Sequence, residues 1–193
     1  PGKYTVRIVA EEANAWNAFG PPAKVAMPML SVWFSTRYAI AEAAPHASPY
    51  FVPDAGLRDA LLLAARSGVD VRFLGLLRPD KWLPFLAARF YWSEMLAAGV
   101  KVYQYARGMM HSKYVLVDGE WASVGSANTD NRSLLLNFEL NGQFFDADIT
   151  RQMESAFLND LADSVRIDPA VYATRPLVGR LAENACRLFS PVL

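Results

Sequence analysis

The chain has 193 residues, 53% apolar and 20% charged, a composition that belongs to a globular protein and excludes a disordered one. Its 19 Lys and Arg residues balance 19 Asp and Glu, so no whole-chain field draws it to nucleic acid, although a local basic pocket stays open. A lone cysteine, Cys186, excludes an internal disulfide and fits a reducing compartment. The length suits one domain with a real core. The sequence opens on Pro1 rather than methionine, which reads as a piece of something longer. No run of about 18 apolar residues occurs and no signal peptide is visible.

In chain order, residues 4–10 (YTVRIVA) are β-branched enough for a strand. Residues 11–48 hold Pro21, Pro22, Pro28 and Pro45 and lack a clean period; a helix is expected over 24–43. PYFV at 49–52 reads as a short buried strand. Asp54 then reads as an N-cap, with Leu57, Leu61 and Ala64 at helical spacing up to Gly68. A strand over 69–77, a helix over 82–98 stopped by Gly99, and a strand over 100–105 follow. Strands alternating with helices over short joins imply parallel pairing through right-handed crossovers.

The pattern changes after residue 105. KYVLVD and WASVGS are joined by Asp118-Gly119, a strong two-residue hairpin turn. Residues 136–145 read as a further strand. Ile149, Met153, Phe157 and Leu161 recur every four residues, which predicts a helix over 149–162. A last amphipathic helix is expected over 176–189, with Leu177, Leu181, Ala185 and Leu188 on one face.

The chemistry concentrates at 111–139. On a strand, residues i and i+2 share a face, so His111 and Lys113 project side by side. Ser126 and Asn128 repeat the spacing at the end of the partner strand, and the Asp-Gly turn brings the two pairs together. Taken singly, a strand histidine is more often structural and GSxN is a common turn. Together they supply an acid–base or nucleophilic group, a fixed cation, a hydroxyl and an amide. That set suits a tetrahedral oxyanion such as phosphate. It does not suit a metal, since no carboxylate or thiol cluster surrounds the histidine.

The spacing H-x-K-x4-D-x6-G-S-x-N is filled by His111, Lys113, Asp118, Gly125, Ser126 and Asn128 over 18 positions. It resembles the HKD motif of the phospholipase D superfamily. PYFVPDAGLRDALLLAARSGVDVRFL, MLAAGVKVYQYARGMMHSK, NTDNRSLLLNFELN and the ending RPLVGRLAENACRLFSPVL are similar to the C-terminal half of bacterial cardiolipin synthases. The resemblance covers 49–193 well and 1–48 only loosely.

The resemblance implies an α/β fold with a mixed sheet flanked by helices. Residues 1–48 form a poorly assigned N-terminal segment and 49–193 a phospholipase D-like catalytic domain. It implies a two-step phosphatidyl transfer between two phosphatidylglycerol molecules, through a phosphohistidine and with neither cofactor nor metal. His111 matches one of the two histidines of such a site. Lys113 and Asn128 match phosphate-oxygen ligands, with Ser126 beside them. Glu139 falls where related enzymes place a carboxylate that orients the histidine. Asp118 completes the motif and is counted with the active site in the family. By its odd offset from Lys113 it should instead face away and shape the hairpin.

The implied partners are phosphatidylglycerol or another anionic phospholipid, a membrane surface, and either a missing N-terminal half or a second copy. The implied location is the bacterial inner membrane, cytoplasm-facing or peripheral. Nucleic acid is disfavoured.

This sequence departs from the pattern in two ways. It carries one motif where the family has two, and Ser48 stands where a lysine would have to follow His46, so His46 is expected to be a loop histidine. The strand that the family places before PYFVPD is expected to be shortened or lost, because Pro45 and Pro49 interrupt it. Two other readings remain open: a single-motif phosphodiesterase or nuclease acting as a homodimer, and a silent fragment that only binds anionic headgroups.

Overall fold

The computed structural model describes residues 6–12 and 43–193. Strands come from both sides of position 48. In chain order they are β1 (Val6–Glu12), β2 (Ala43–Ala47), β3 (Phe51–Val52), β4 (Asp70–Leu76), β5 (Lys101–Tyr105), β6 (Tyr114–Val117), β7 (Trp121–Gly125), β8 (Thr129–Asp130), β9 (Phe138–Phe144) and β10 (Ser164–Arg166). The helices are α1 (Ala55–Arg66), α2 (Trp82–Ala98), α3 (Asn131–Leu135), α4 (Ala147–Ala162), α5 (Pro169–Ala173) and α6 (Leu177–Arg187), followed by a 3₁₀ turn at Ser190–Val192. The helix expected over 24–43 lies outside the described residues, except that Ala43 opens β2. The strand expected over 4–10 is described from Val6 and runs on to Glu12.

Among the described residues eight strands form one mixed sheet in the order β1-β9-β7-β6-β2-β4-β5-β10, and β3 pairs with β8 apart from it. The α/β class expected from the sequence is thus the observed one. The parallel run is β2-β4-β5. It does not start from PYFV: Phe51 and Val52 leave the main sheet and pair with Thr129 and Asp130. The strand expected to be shortened or lost is present as β2, next to β4 and β6 in the middle of the sheet. Pro45 does not abolish it but limits it. Pairing with β6 stops at His46↔Val115, one residue short of the proline, which has no N–H to donate. Pro49 then ends the strand after Ser48, whose amide still donates to Leu74 O at 3.2 Å.

The caps follow the sequence. The Asp54 carboxylate accepts from Leu57 N at 2.7 Å and Gly99 closes α2 at φ 99°. Two apolar layers fill the faces of the sheet. Phe51, Leu61, Phe73, Trp92, Met95 and Trp121 pack with α1 and α2 on one side. Leu74, Leu76, Leu116 and Phe157 pack with α4 on the other. Alternation along each strand decides which layer a residue joins: Val115 and Val117 face α1 and α2, Leu116 faces α4.

The C-terminal helix α6 forms where expected, but its apolar stripe points outward. Leu177, Leu181 and Leu188 are 60–73% exposed, while Glu183 is the buried residue of the helix. Glu183 accepts from Arg89 Nε at 2.8 Å and Arg175 Nη2 at 2.7 Å. Arg175 in turn lies over the Tyr172 ring, 4.0 Å from its centroid.

His46 is not in a loop. It sits on β2, buried, its ring against Phe73 and edge-on to Phe51. Its Nε2 lies 2.7 Å from Thr129 Oγ1, and burial pushes its pKa from 6.5 down to about 4. A folded-state pKa below the unfolded one means that the unfolded chain takes up the proton first. The stability that neutral His46 provides is therefore full above pH 6.5 and drains away as pH falls towards 4. That loss is worth about 3 kcal/mol across the window. Urea unfolding of the wild type and of His46→Leu at pH 7 and pH 4.5 checks this. The gap between the two should narrow or invert on acidification, and a gap that does not change with pH would refute it.

Candidate active site

Strand β2 runs antiparallel to β6, so the C-terminal end of β2 lies beside the start of β6. The chain entering β6 carries His111 and Lys113, and the chain leaving β7 carries Ser126 and Asn128. Gly125 N donates to Lys113 O at 3.1 Å and thereby ties the two segments together. Strand β9 begins at the same edge and brings Glu139 and Asn141 alongside.

Lys113 is the centre of this edge. It is 8% exposed, and its Nζ lies 2.6 Å from His111 O and 3.0 Å from His111 Nδ1. The side-by-side projection read from the i, i+2 spacing holds, although the regular strand starts only at Tyr114. Burial lowers the Lys113 pKa, and the carboxylates of Glu139 and Asp130 oppose that shift. Asp130 is itself raised by burial and caps α3 by accepting from Ser133 N at 2.7 Å.

Ser126 and Asn128 do not share a face in the simple way that strand alternation suggests, because β7 ends at Gly125. Ser126 Oγ donates to Glu139 Oε2 at 2.5 Å and accepts from Leu140 N at 3.0 Å. Glu139 Oε1 accepts from Asn137 Nδ2 at 3.3 Å. Glu139 thus ties the Ser126 loop to Asn137. Asn128 has a buried Oδ1 without a hydrogen-bond partner among the described residues. It shares a cavity of about 50 Å³ with Lys113, His46, Thr129, Ser123 and Asn141. A side-chain amide presents either its oxygen or its NH₂ in one place, so this group is suited to a ligand oxygen as donor.

Gly125 makes the close approach of β9 possible. A Cβ there would fall 2.1 Å from Leu140 O and 2.6 Å from Asn141 Cα, both backbone atoms that cannot step aside.

Asp118 lies at the other end of the β6–β7 hairpin. Seven residues of near-extended chain separate it from His111, roughly 20 Å. Its φ of 54° together with 66° at Gly119 makes the two-residue turn expected from the sequence. The structure therefore brings His111, Lys113, Ser126, Asn128 and Glu139 to one edge and leaves Asp118 out.

Sequence reasoning missed the layer behind that edge. His46 bonds Thr129, and Ser48 Oγ accepts from Thr129 N at 3.1 Å, so two residues of β2 and its exit pin the residue that follows Asn128. Nothing in the linear sequence signals this, because it depends on β2 pairing with β6. Among the described residues no three His, Cys, Asp or Glu side chains are grouped as metal ligands.

Residues 42–161 match the family described as "Cardiolipin synthase, PLD-like domain". A cardiolipin synthase of Geobacillus sp. (strain WCH70) is 50% identical over 147 residues, 76% of this chain and 29% of the relative. Cardiolipin synthase 2 of Bacillus cereus is 42% identical over 171 residues, 89% of this chain and 31% of the relative. The chain therefore spans about a third or less of the curated relatives it matches. Among solved structures, the phospholipase D family member Nuc from Salmonella typhimurium superposes with a TM-score of 0.63 at 15% identity, covering 86% of this chain and 99% of Nuc. Phosphatidylserine synthase from Haemophilus influenzae gives 0.62 at 15% identity, covering 85% of this chain and 44% of that one. The short hairpin that gathers a histidine, a buried lysine and an asparagine at one sheet edge is thus carried by a chain that belongs to the PLD-like domain family of the cardiolipin synthases.

Proposed function

We propose that this chain is the C-terminal half of a cardiolipin synthase-like phosphatidyltransferase, acting on phosphatidylglycerol at a membrane surface. The observation that carries the reading is the Lys113 ammonium, buried 3.0 Å from the His111 imidazole and sharing a cavity with Asn128. A buried cation beside an imidazole and an underused amide is a receptor for a phosphodiester. The identity to named cardiolipin synthases supports the lipid class.

The chemistry needs two histidines. One imidazole attacks phosphorus and forms an N–P bond, and the P–O bond to the headgroup glycerol breaks. The other imidazolium gives its proton to that glycerol oxygen. A hydroxyl of a second phosphatidylglycerol then attacks phosphorus, its proton passes to the second histidine, and the N–P bond breaks to release cardiolipin. His111 fills one of these two roles. His46 cannot fill the other. It is buried behind the edge, and its ring is committed to Thr129. The second imidazole therefore comes from an N-terminal half or from a second copy meeting this edge. The site belongs on the cytoplasmic side of a bacterial inner membrane or peripheral to it, where phosphatidylglycerol is met. Lys113 and Asn128 hold the phosphate oxygens, with Ser126 beside them. Glu139 fixes the Ser126 loop, and Asp118 shapes the distant turn.

The main test is completeness. The 193-residue chain as a monomer should form no cardiolipin from phosphatidylglycerol, and activity should return when the complementary half is supplied. In that assembled enzyme, His111→Ala should lower turnover by at least about 10²–10⁴-fold while the melting curve stays in place. An active monomer, or a His111→Ala enzyme with near-normal turnover, would end this reading. An assembly that cleaves DNA and ignores lipid would favour a nuclease.

Lys113→Ala and Asp118→Ala should part company. The first should lose about 10²-fold or more in turnover by removing charge at the phosphate. The second should lose about 1 kcal/mol of stability, because alanine tolerates positive φ poorly, and keep its turnover. A stable but inactive Asp118→Ala would place that carboxylate in the chemistry.

Turnover should also be unaffected by EDTA, because the five polar residues of the edge lack a metal-ligand set. Loss that is restored by a divalent ion would contradict the proposed two-histidine chemistry.

A further inference from the structure

The C-terminal helix is built inside out. At 3.6 residues per turn, Leu177, Val178, Leu181, Ala185 and Leu188 share one arc of α6, and Glu183 lies opposite. The arc that faces the protein holds the carboxylate, neutralised by Arg89 and Arg175. The arc that faces outward holds the large apolar side chains: Val178 is 79% exposed, Leu188 73%, Leu177 67% and Leu181 60%. A helix that merely completed the core would show the reverse orientation.

Charge says what fits this face. Residues 169–193 contain three arginines and one glutamate in a chain of zero net charge. The glutamate and Arg175 satisfy each other inside. Arg180 and Arg187 lie together along one border of the apolar arc and have no carboxylate within salt-bridge distance among the described residues; the Arg187 guanidinium rests over the Phe90 ring, 4.5 Å from its centroid. Arg180 also borders a cavity of about 360 Å³ formed with Ser93, Leu96 and Pro169. An apolar stripe bordered on one side by arginines that no carboxylate neutralises is complementary to an anionic bilayer: side chains enter the acyl boundary and guanidinium groups meet phosphates.

The stripe also continues towards the catalytic edge. Phe189 and Val192 are 52% and 61% exposed. The turn that holds them is tied to α3, because Asn131 Nδ2 donates to Ser190 O at 2.9 Å and Arg132 N to Leu193 O at 2.7 Å. Helix α3 starts directly after Thr129 and Asp130. Beyond it Leu136 and Phe138 are 51% and 71% exposed, next to Glu139.

We infer that α6 and the turn after it are an interfacial anchor that lays the catalytic edge on an anionic phospholipid surface. The inference rests on the reading that the substrate is a bilayer lipid, and it assigns the contact to this helix. Its test is co-sedimentation with phosphatidylcholine vesicles made with and without phosphatidylglycerol. The wild-type chain should bind the anionic vesicles far better, and added salt should weaken the binding.

Val178→Glu/Leu181→Glu should reduce partitioning by about tenfold or more without moving the melting temperature, since both side chains already face outward. Arg180→Gln/Arg187→Gln should remove the preference for phosphatidylglycerol. His111→Ala should bind like wild type. Failure of catalysis is in this way read separately from failure of the anchor. Wild-type indifference to vesicles, or a double glutamate variant that binds as before, would overturn the inference. So would a variant that dissociates a dimer in sedimentation velocity and leaves vesicle binding untouched, because the face would then belong to a protein contact.

Discussion

A buried ammonium is tolerated only where acceptors surround it, and the edge of this sheet is organised around that requirement at Lys113. The His111 carbonyl and ring nitrogen take two directions. The fields of Glu139 and Asp130 offset part of the desolvation. For Glu139 to come near, β9 must lie tight against β7, and the absent side chain at Gly125 allows that. For Asp130 to be there, the chain after β7 must turn inward through β8, which needs β3 as a partner and Ser48 and His46 as fastenings. The lysine is one residue, but its surroundings draw on β2, β3, β7, β8 and β9.

The two ends of the β6–β7 hairpin differ in what they gather. At one end polar groups converge on a small cavity. At the other, Asp118 and Gly119 spend their conformational freedom on a turn. The spacing H-x-K-x4-D spans both ends because it runs the length of a hairpin strand, and its three polar residues do not all meet.

The α/β class, the hairpin and the helix caps were legible in the sequence, since each rests on local information: element periodicity, a turn dipeptide, cap residues. His111, Lys113, Ser126 and Asn128 do come to one edge, but they lie beyond the ends of β6 and β7, where strand alternation no longer decides which way a side chain points. What was illegible depended on distant neighbours. The proline at 45 argues against a strand when read locally, yet β4 pairs along that whole segment and keeps it extended. PYFV has the composition of a sheet strand, but Pro49 turns it out of the main sheet towards β8. His46 reads as a loop residue until β6 is laid against β2, and then it is the wall behind the site. The outward stripe of α6 follows from Glu183, whose inward pull comes from Arg89 on α2 and from Arg175. No periodicity along 176–189 contains that information.

The pairing of the edge strand has a consequence for the order in which the molecule assembles. β1 lies at residues 6–12 and pairs with β9 at 138–144. More than a hundred residues of chain must therefore be made between β1 and its partner β9. The β2–β4–β5 unit is far more local and can form earlier, as contacts close in sequence generally do. During synthesis β1 stays without its β9 ladder while the middle of the sheet closes. The edge that bears His111 and Lys113 needs β9 as well, and a chain stopped before residue 138 would hold them on a hairpin backed by β2 but without Glu139 and Asn141 alongside.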